Sequence, residues 1–191
     1  MRNAGHKNEH QSRVTSHESR RSNSWPDEVH SVLRELDVRQ VAYVPDSGHA
    51  RLINLVRADK SMRAIPLTTE EEGVAMLAGA WLGGERGVLL MQSSGAGNCI
   101  NMLGMIAECR FPLLMILTMR GHWGEFNPWQ VPMSQATAPA LNAIGVVVQP
   151  VDRAAEIAET VSAAARLAFS TGRAVAVLIS QRVIGSKAFG K

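Results

Sequence analysis

Three stretches limit the fold before anything else does. Val88-Leu-Leu-Met91, Pro112 to Thr118 and Ala174 to Ile179 are unbroken apolar runs of strand length. A strand with one face in water alternates polar and apolar side chains, whereas a run without alternation is buried on both faces. Between such runs, apolar residues recur at helical spacing, as in Val29, Val32, Leu33 and Leu36, or in the Ala-rich segment Asp152 to Phe169. Strand and helix in alternation predict one doubly wound α/β domain: a parallel sheet of about six strands with helices on both faces. The remaining expected strands are Val41 to Val44, Ala64 to Leu67 (shortened by Pro66) and Val146 to Val148. Further helices are expected over Thr69 to Leu82, Cys99 to Glu108 and residues 134–143. Thr69 with Glu72 suggests a capping box.

Composition removes several function classes. Among 191 residues, 46% are hydrophobic and 19% charged, which suits one cored domain. No apolar run reaches the ~18 to 20 residues that a membrane span needs. There are two cysteines, Cys99 and Cys109, and no secretory signal, which points to the cytoplasm and to cysteines that only pack. The net charge of +3 is carried by residues 1–24, where five basic residues stand against two acidic ones. This segment reads as a disordered basic tail ahead of a domain over residues 25–191, with no nucleic acid or membrane implied.

In a doubly wound sheet, ligands bind at the carboxyl ends of the strands. That brings Pro45–Gly48, Thr68–Glu72, Gln92–Asn98 and Met119–Pro132 to one rim. Ser93-Ser-Gly-Ala-Gly-Asn98 is either a tight strand-to-helix turn or a cradle of backbone N–H groups. It fits neither the Walker loop nor the dinucleotide fingerprint, because Asn98 and Cys99 follow Gly97 and Ile100 stands where Gly or Ala is needed. Glu70-Glu-Glu72 opens a helix; such acids can serve the helix dipole, or one can be an acid/base group facing the cleft. The His, Cys and Asp residues lack metal-ligand spacing, so no metal site is expected on this chain. Trp123 and Trp129, on a loop too long to be a plain connector, are expected interface anchors.

In their order and separation over about residues 27–182, these segments resemble the pyrimidine-binding domain of thiamine-diphosphate-dependent enzymes. Glu71-Glu-Gly-Val-Ala-Met-Leu-Ala-Gly-Ala-Trp81 is similar to the family's Glu-x-x-Ala-x-x-x-Ala-x-Gly-Tyr signature, and this reading puts Glu71 on the catalytic glutamate. Ser94-Gly-Ala-Gly-Asn98 resembles the Ser-Gly-x-Gly turn, and Pro45-Asp-Ser47 the turn after the first strand. Thr69 to Gly73, Met91-Gln92, Arg120-Gly121 and Gln130-Val-Pro-Met133 resemble the sulfopyruvate decarboxylase alpha subunits, with phosphonopyruvate decarboxylases close behind. Ser93, Ala96 and Gln92 depart from the common pattern.

The resemblance implies the alpha subunit of a split 2-oxoacid decarboxylase acting on an anionic substrate such as 3-sulfopyruvate. Phosphonopyruvate decarboxylation, carboligation and a regulatory subunit of the same fold are the alternatives. It implies Glu71 as the group that activates the cofactor, with Ser94, Gly95, Gly97 and Asn98 beside it. Ser47 would meet the substrate carboxylate; His49, Gln92, Arg120 and His122 would hold a second anionic group. For Ser47 a turn cap, and for the others solvated loop positions, remain open. The family's diphosphate element, Gly-Asp-Gly with a later Asn, has no counterpart, since none of the five Asp residues lies between glycines. Thiamine diphosphate and Mg2+ would therefore be held mainly by a beta subunit, in an α2β2 assembly.

Overall fold

A computed structural model describes residues 24–186. The basic segment 1–24 lies outside the described residues except for Ser24. The elements run α1 (Trp25–Glu35), β1 (Val38–Tyr43), α2 (Ala50–Ala58), β2 (Arg63–Pro66), α3 (Glu70–Leu82), β3 (Arg86–Gln92), α4 (Ala96–Cys109), β4 (Leu113–Thr118), α5 (Gln130–Ala143), β5 (Val147–Val151), α6 (Ile157–Thr171), β6 (Ala174–Ile179) and α7 (Gln181–Ile184).

The six strands form one parallel sheet in the order β2-β1-β3-β4-β6-β5. The central strands β4 and β6 are buried at every residue, as their apolar runs require. Successive side chains point to opposite faces, so each strand feeds two cores. Leu114, Ile116, Val175 and Val177 pack with α1, α2 and α6, while Met115, Leu117, Ala176 and Leu178 pack with α3, α4 and α5. Each proline found in a strand, Pro66 and Pro150, lies in an edge strand, where a missing N–H leaves no ladder partner short.

The chain departs from the pattern reading mainly at element ends. Helix α4 starts three residues before Cys99, and α5 starts at Gln130 rather than 134, with Pro132 in its first turn. Thr69 makes no side-chain cap to α3, and Glu72 Oε2 accepts the N–H of Thr68 at 3.0 Å, so the capping box is not formed in its usual pairing. Cys99 is buried but Cys109 is exposed, so only the first is a packing residue. Burial and the nearby Glu70 and Glu71 push the Cys99 thiol up to about 12, which keeps it protonated and inert. Among the described residues no helix is long and apolar enough to cross a membrane.

Candidate active site

All the rim turns gather at the carboxyl ends of β1, β3, β4 and β6. The turn after β1 is closed by Asp46. Its Oδ2 accepts the N–H of Gly48 at 3.0 Å and the hydroxyl of Thr118 at 2.6 Å, and its Oδ1 accepts from Gln92 Nε2 at 3.3 Å. A Cβ on Gly48 would sit 2.8 Å from Thr118 Cγ2, so the turn can lie this close to β4 only as glycine. The sequence reading took Asp46 only as a rim-loop residue without metal-ligand spacing, yet it ties three rim segments together. Its position one residue after Pro45, in an Asx-turn context, is the signal that was available.

Helix α3 opens beside the Gly-rich turn after β3. Glu70 is 7% exposed, with its carboxylate against Gly95. A Cβ on Gly95 would fall 2.2 Å from Glu70 Oε1, so the bare backbone there makes the room for this carboxylate. Asn98 Nδ2 donates to Glu70 Oε2 at 2.8 Å. Glu71, by contrast, is exposed. Glu70 is therefore the glutamate held against the turn and Glu71 the one turned to the outside of the single chain, because adjacent helical residues lie about 100° apart around the axis.

Gly95 and Asn98 touch Glu70. Ser94 is exposed and its hydroxyl donates to Gln92 Oε1 at 2.8 Å. Gly97 is exposed and approaches the start of α5, where a Cβ would lie 3.3 Å from Met133 Sδ. Together, Glu70 and Asn98 at the turn suit a ring nitrogen that can share a proton with a carboxylate. They offer no cluster of donors for a diphosphate. Among the described residues no group of three or more His, Cys, Asp and Glu side chains is placed to hold a metal ion.

Of the substrate-binding residues expected from sequence, Ser47 remains exposed on the rim and Gln92 is half-buried between Asp46 and Ser94. Three are engaged elsewhere. His49 is fully buried; its Nε2 donates to the carbonyls of Met91 at 3.2 Å and Ile116 at 3.1 Å, its Nδ1 has no partner, and Trp25 meets the ring edge-on. Burial holds its pKa below the ordinary histidine value, so it stays neutral inside the sheet rim.

Arg120 is buried and paired with Glu125 through both prongs of its fork, at 2.6 Å each. That pairing pulls the Glu125 carboxyl down to about 2. Gln181, buried at the start of α7, completes the network by donating to Glu125 Oε2 at 2.9 Å and accepting the N–H groups of His122 and Trp123. His122 Nε2 accepts the Gln181 N–H at 3.3 Å and also meets Ser180 Oγ at 3.2 Å. Partial burial, aided by Arg182, lowers its pKa, with Asp152 opposing. These residues brace the loop between β4 and α5. The Nε–Nη2 edge of Arg120 is taken and its charge is balanced by an acid from within the same loop.

The chain is similar in sequence and fold to known proteins. Residues 27–138 match the family described as thiamine pyrophosphate enzyme, N-terminal TPP binding domain. The sulfopyruvate decarboxylase subunit alpha of Methanothermobacter thermautotrophicus is 32% identical over 152 residues, covering 79% of this chain and 92% of that one. The subunit of the same name from Methanococcus maripaludis is 36% identical, covering 62% of this chain and 71% of that one. Among solved structures, a 2-oxoglutarate:ferredoxin oxidoreductase from Magnetococcus marinus superposes with a TM-score of 0.70 at 16% identity. The superposition takes in 85% of this chain and 29% of that one, which is agreement of fold.

Proposed function

Because this chain belongs to the thiamine pyrophosphate enzymes, as their N-terminal TPP-binding domain, we propose that it is the alpha subunit of a split 2-oxoacid decarboxylase. Its partner is a beta subunit that holds the diphosphate and Mg2+. Its substrate is an anionic 2-oxoacid of the 3-sulfopyruvate type, and the assembly is α2β2 and cytoplasmic. The near-complete coverage of the Methanothermobacter subunit supports the split arrangement.

One observation carries the reading: the Glu70 carboxylate, buried, held by Asn98 and lying over Gly95. Asn98 occupies Oε2, which leaves Oε1 to share a proton with a ring nitrogen of the bound aminopyrimidine. Near-complete burial keeps bulk water from competing for that proton. Gly95 leaves room for the Glu70 carboxylate itself to sit at the turn. When bound, the cofactor supplies the electron sink for the pair released as CO2 departs. Ser47, exposed on the neighbouring turn, meets the substrate carboxylate. Trp123 and Trp129, 45% and 87% exposed in the single chain, are the anchors on which the partner closes over the rim.

The test is reconstitution. The chain, its partner, thiamine diphosphate and Mg2+ are mixed with 3-sulfopyruvate and CO2 is followed. Release is expected from the mixture and not from either chain alone. Turnover by this chain without a partner, or none by the complete mixture with any 2-oxoacid, would overturn the reading.

A further inference from the structure

With His49 buried, Arg120 paired to Glu125 and the exposed His122 held through its Nε2 by Ser180 and Gln181, the rim needs another cation if the substrate carries a second negative group. The structure offers one beside Ser47. A groove of about 360 Å³ is lined by Tyr43, Ser47, Ala50, Ile53, Asn54 and Arg57, with Pro45 and Asp46 at its rim end. Ala50, Asn54 and Arg57 follow at intervals of four and three residues, so they form one stripe along α2. Ser47 stands just ahead of that helix, and the stripe runs about 10 Å down from Ala50 to Arg57. Helical side chains lean toward the helix N-terminus, which from Arg57 is the direction of Asn54 and Ser47.

The charges around the groove leave Arg57 available. Arg51, on the same helix, is paired with Asp27. Asp59, the nearest acid after Arg57 in the chain, is taken by His30, Arg34 and Ser61. Asp46 has both oxygens engaged by Thr118, Gly48 and Gln92. Among the described residues, the side chains of Ser47, Asn54 and Arg57 have no hydrogen-bond or ion-pair partner. Three donors, one of them a guanidinium fork suited to three-oxygen anions, therefore face one cavity that begins at a proposed substrate contact.

We propose that this groove is the subsite for the second anionic group of the substrate, a sulfonate or phosphonate, with Arg57 as its charge and Asn54 as its neutral donor. The proposal rests on the decarboxylase reading above. It assigns specificity to α2, on the opposite sheet face from Glu70's helix.

The test compares substrates with and without the second group. The full chain, reconstituted with its partner, is assayed on 3-sulfopyruvate and on pyruvate as wild type, Arg57→Ala, Arg57→Lys and Asn54→Asp. Removing a charge-assisted contact should raise the KM for 3-sulfopyruvate relative to that for pyruvate by roughly ten- to a hundredfold in Arg57→Ala. The lysine variant should lose less. Asn54→Asp, which removes no packing but sets a carboxylate one turn from Arg57, should lose at least as much as Arg57→Lys. Independently of turnover, the unreactive 3-sulfopropanoate, with propanoate as control, is titrated into the isotope-labelled assembled complex. Shifts at the Asn54 side-chain amide and the Ser47 amide are expected for the sulfonate alone, and their loss in Arg57→Ala. KM values that rise equally for both substrates, or stay fixed, in an active enzyme would overturn the subsite. So would sulfonate shifts that persist in Arg57→Ala, or that are absent in wild type. A wild-type complex inactive on every 2-oxoacid would instead sink the decarboxylase reading, while the titration would still decide the groove.

Discussion

Replacing Glu70 by Gln should stop cofactor activation without unfolding the chain. The amide is nearly the same shape, so packing against Gly95 is preserved. Asn98 Nδ2, 2.8 Å from Glu70 Oε2, can donate to the new amide oxygen just as well. What is lost is the oxygen able to share a proton at Oε1. General acid–base help is worth ~10² to 10⁴ in rate, or about 3 to 5 kcal/mol of barrier. Glu71→Gln removes an exposed first-turn charge whose helix-dipole contribution is only ~0.3 to 1 kcal/mol, a factor of about five at most. Asn98→Ala should fall between, since it frees the carboxylate to rotate but leaves it in place. The assay is hydrogen–deuterium exchange at the thiazolium carbon in the reconstituted complex, with thermal unfolding run in parallel. Slow exchange in Glu71→Gln with wild-type exchange in Glu70→Gln would refute the assignment and restore the register read from sequence.

Three other outcomes are expected. Glu125→Gln should lower stability by about 3 kcal/mol, because it leaves Arg120 buried without its partner. In wild type this pair stabilises above the ordinary carboxylate pKa near 4.5, and its contribution is lost as pH falls toward about 2; acid unfolding followed by circular dichroism should show the loss in wild type and a flatter profile in the variant. His49, kept neutral by burial, gives stability above the ordinary histidine pKa of 6.5 that declines as pH falls below it; His49→Ala should lower the unfolding midpoint at pH 7.5 and remove that slope in denaturant titrations. Trp129→Ser should leave the isolated chain's stability unchanged but weaken partner association by roughly thirtyfold or more in sedimentation experiments; an unchanged dissociation constant would exclude Trp129 as an anchor.

The sequence by itself determined the layers and the rim. Leu113–Leu117 and Ala174–Ile179 have no polar residue to turn toward water, so each strand had to be covered on both faces. Strand ends then follow from where those runs stop, and the rim turns from what comes next. Which glutamate faces the cleft is a different kind of question. From Glu71 the family signature aligns Ala78 and Trp81; from Glu70 it aligns Gly79 at the glycine. Neighbouring residues on a helix share composition and differ only in direction, so the string of letters left the register open. Tertiary structure told the two apart by setting Gly95 and Asn98 against one side chain and leaving the next in solvent, which is the basis for proposing Glu70. The same holds for the charges: Arg120 looked free for an anion, but Glu125, itself held by Gln181, had closed on it. A side chain's partner is fixed by the fold's distances and directions, which residue spacing carries only when both residues lie on one regular element, as Asn54 and Arg57 do.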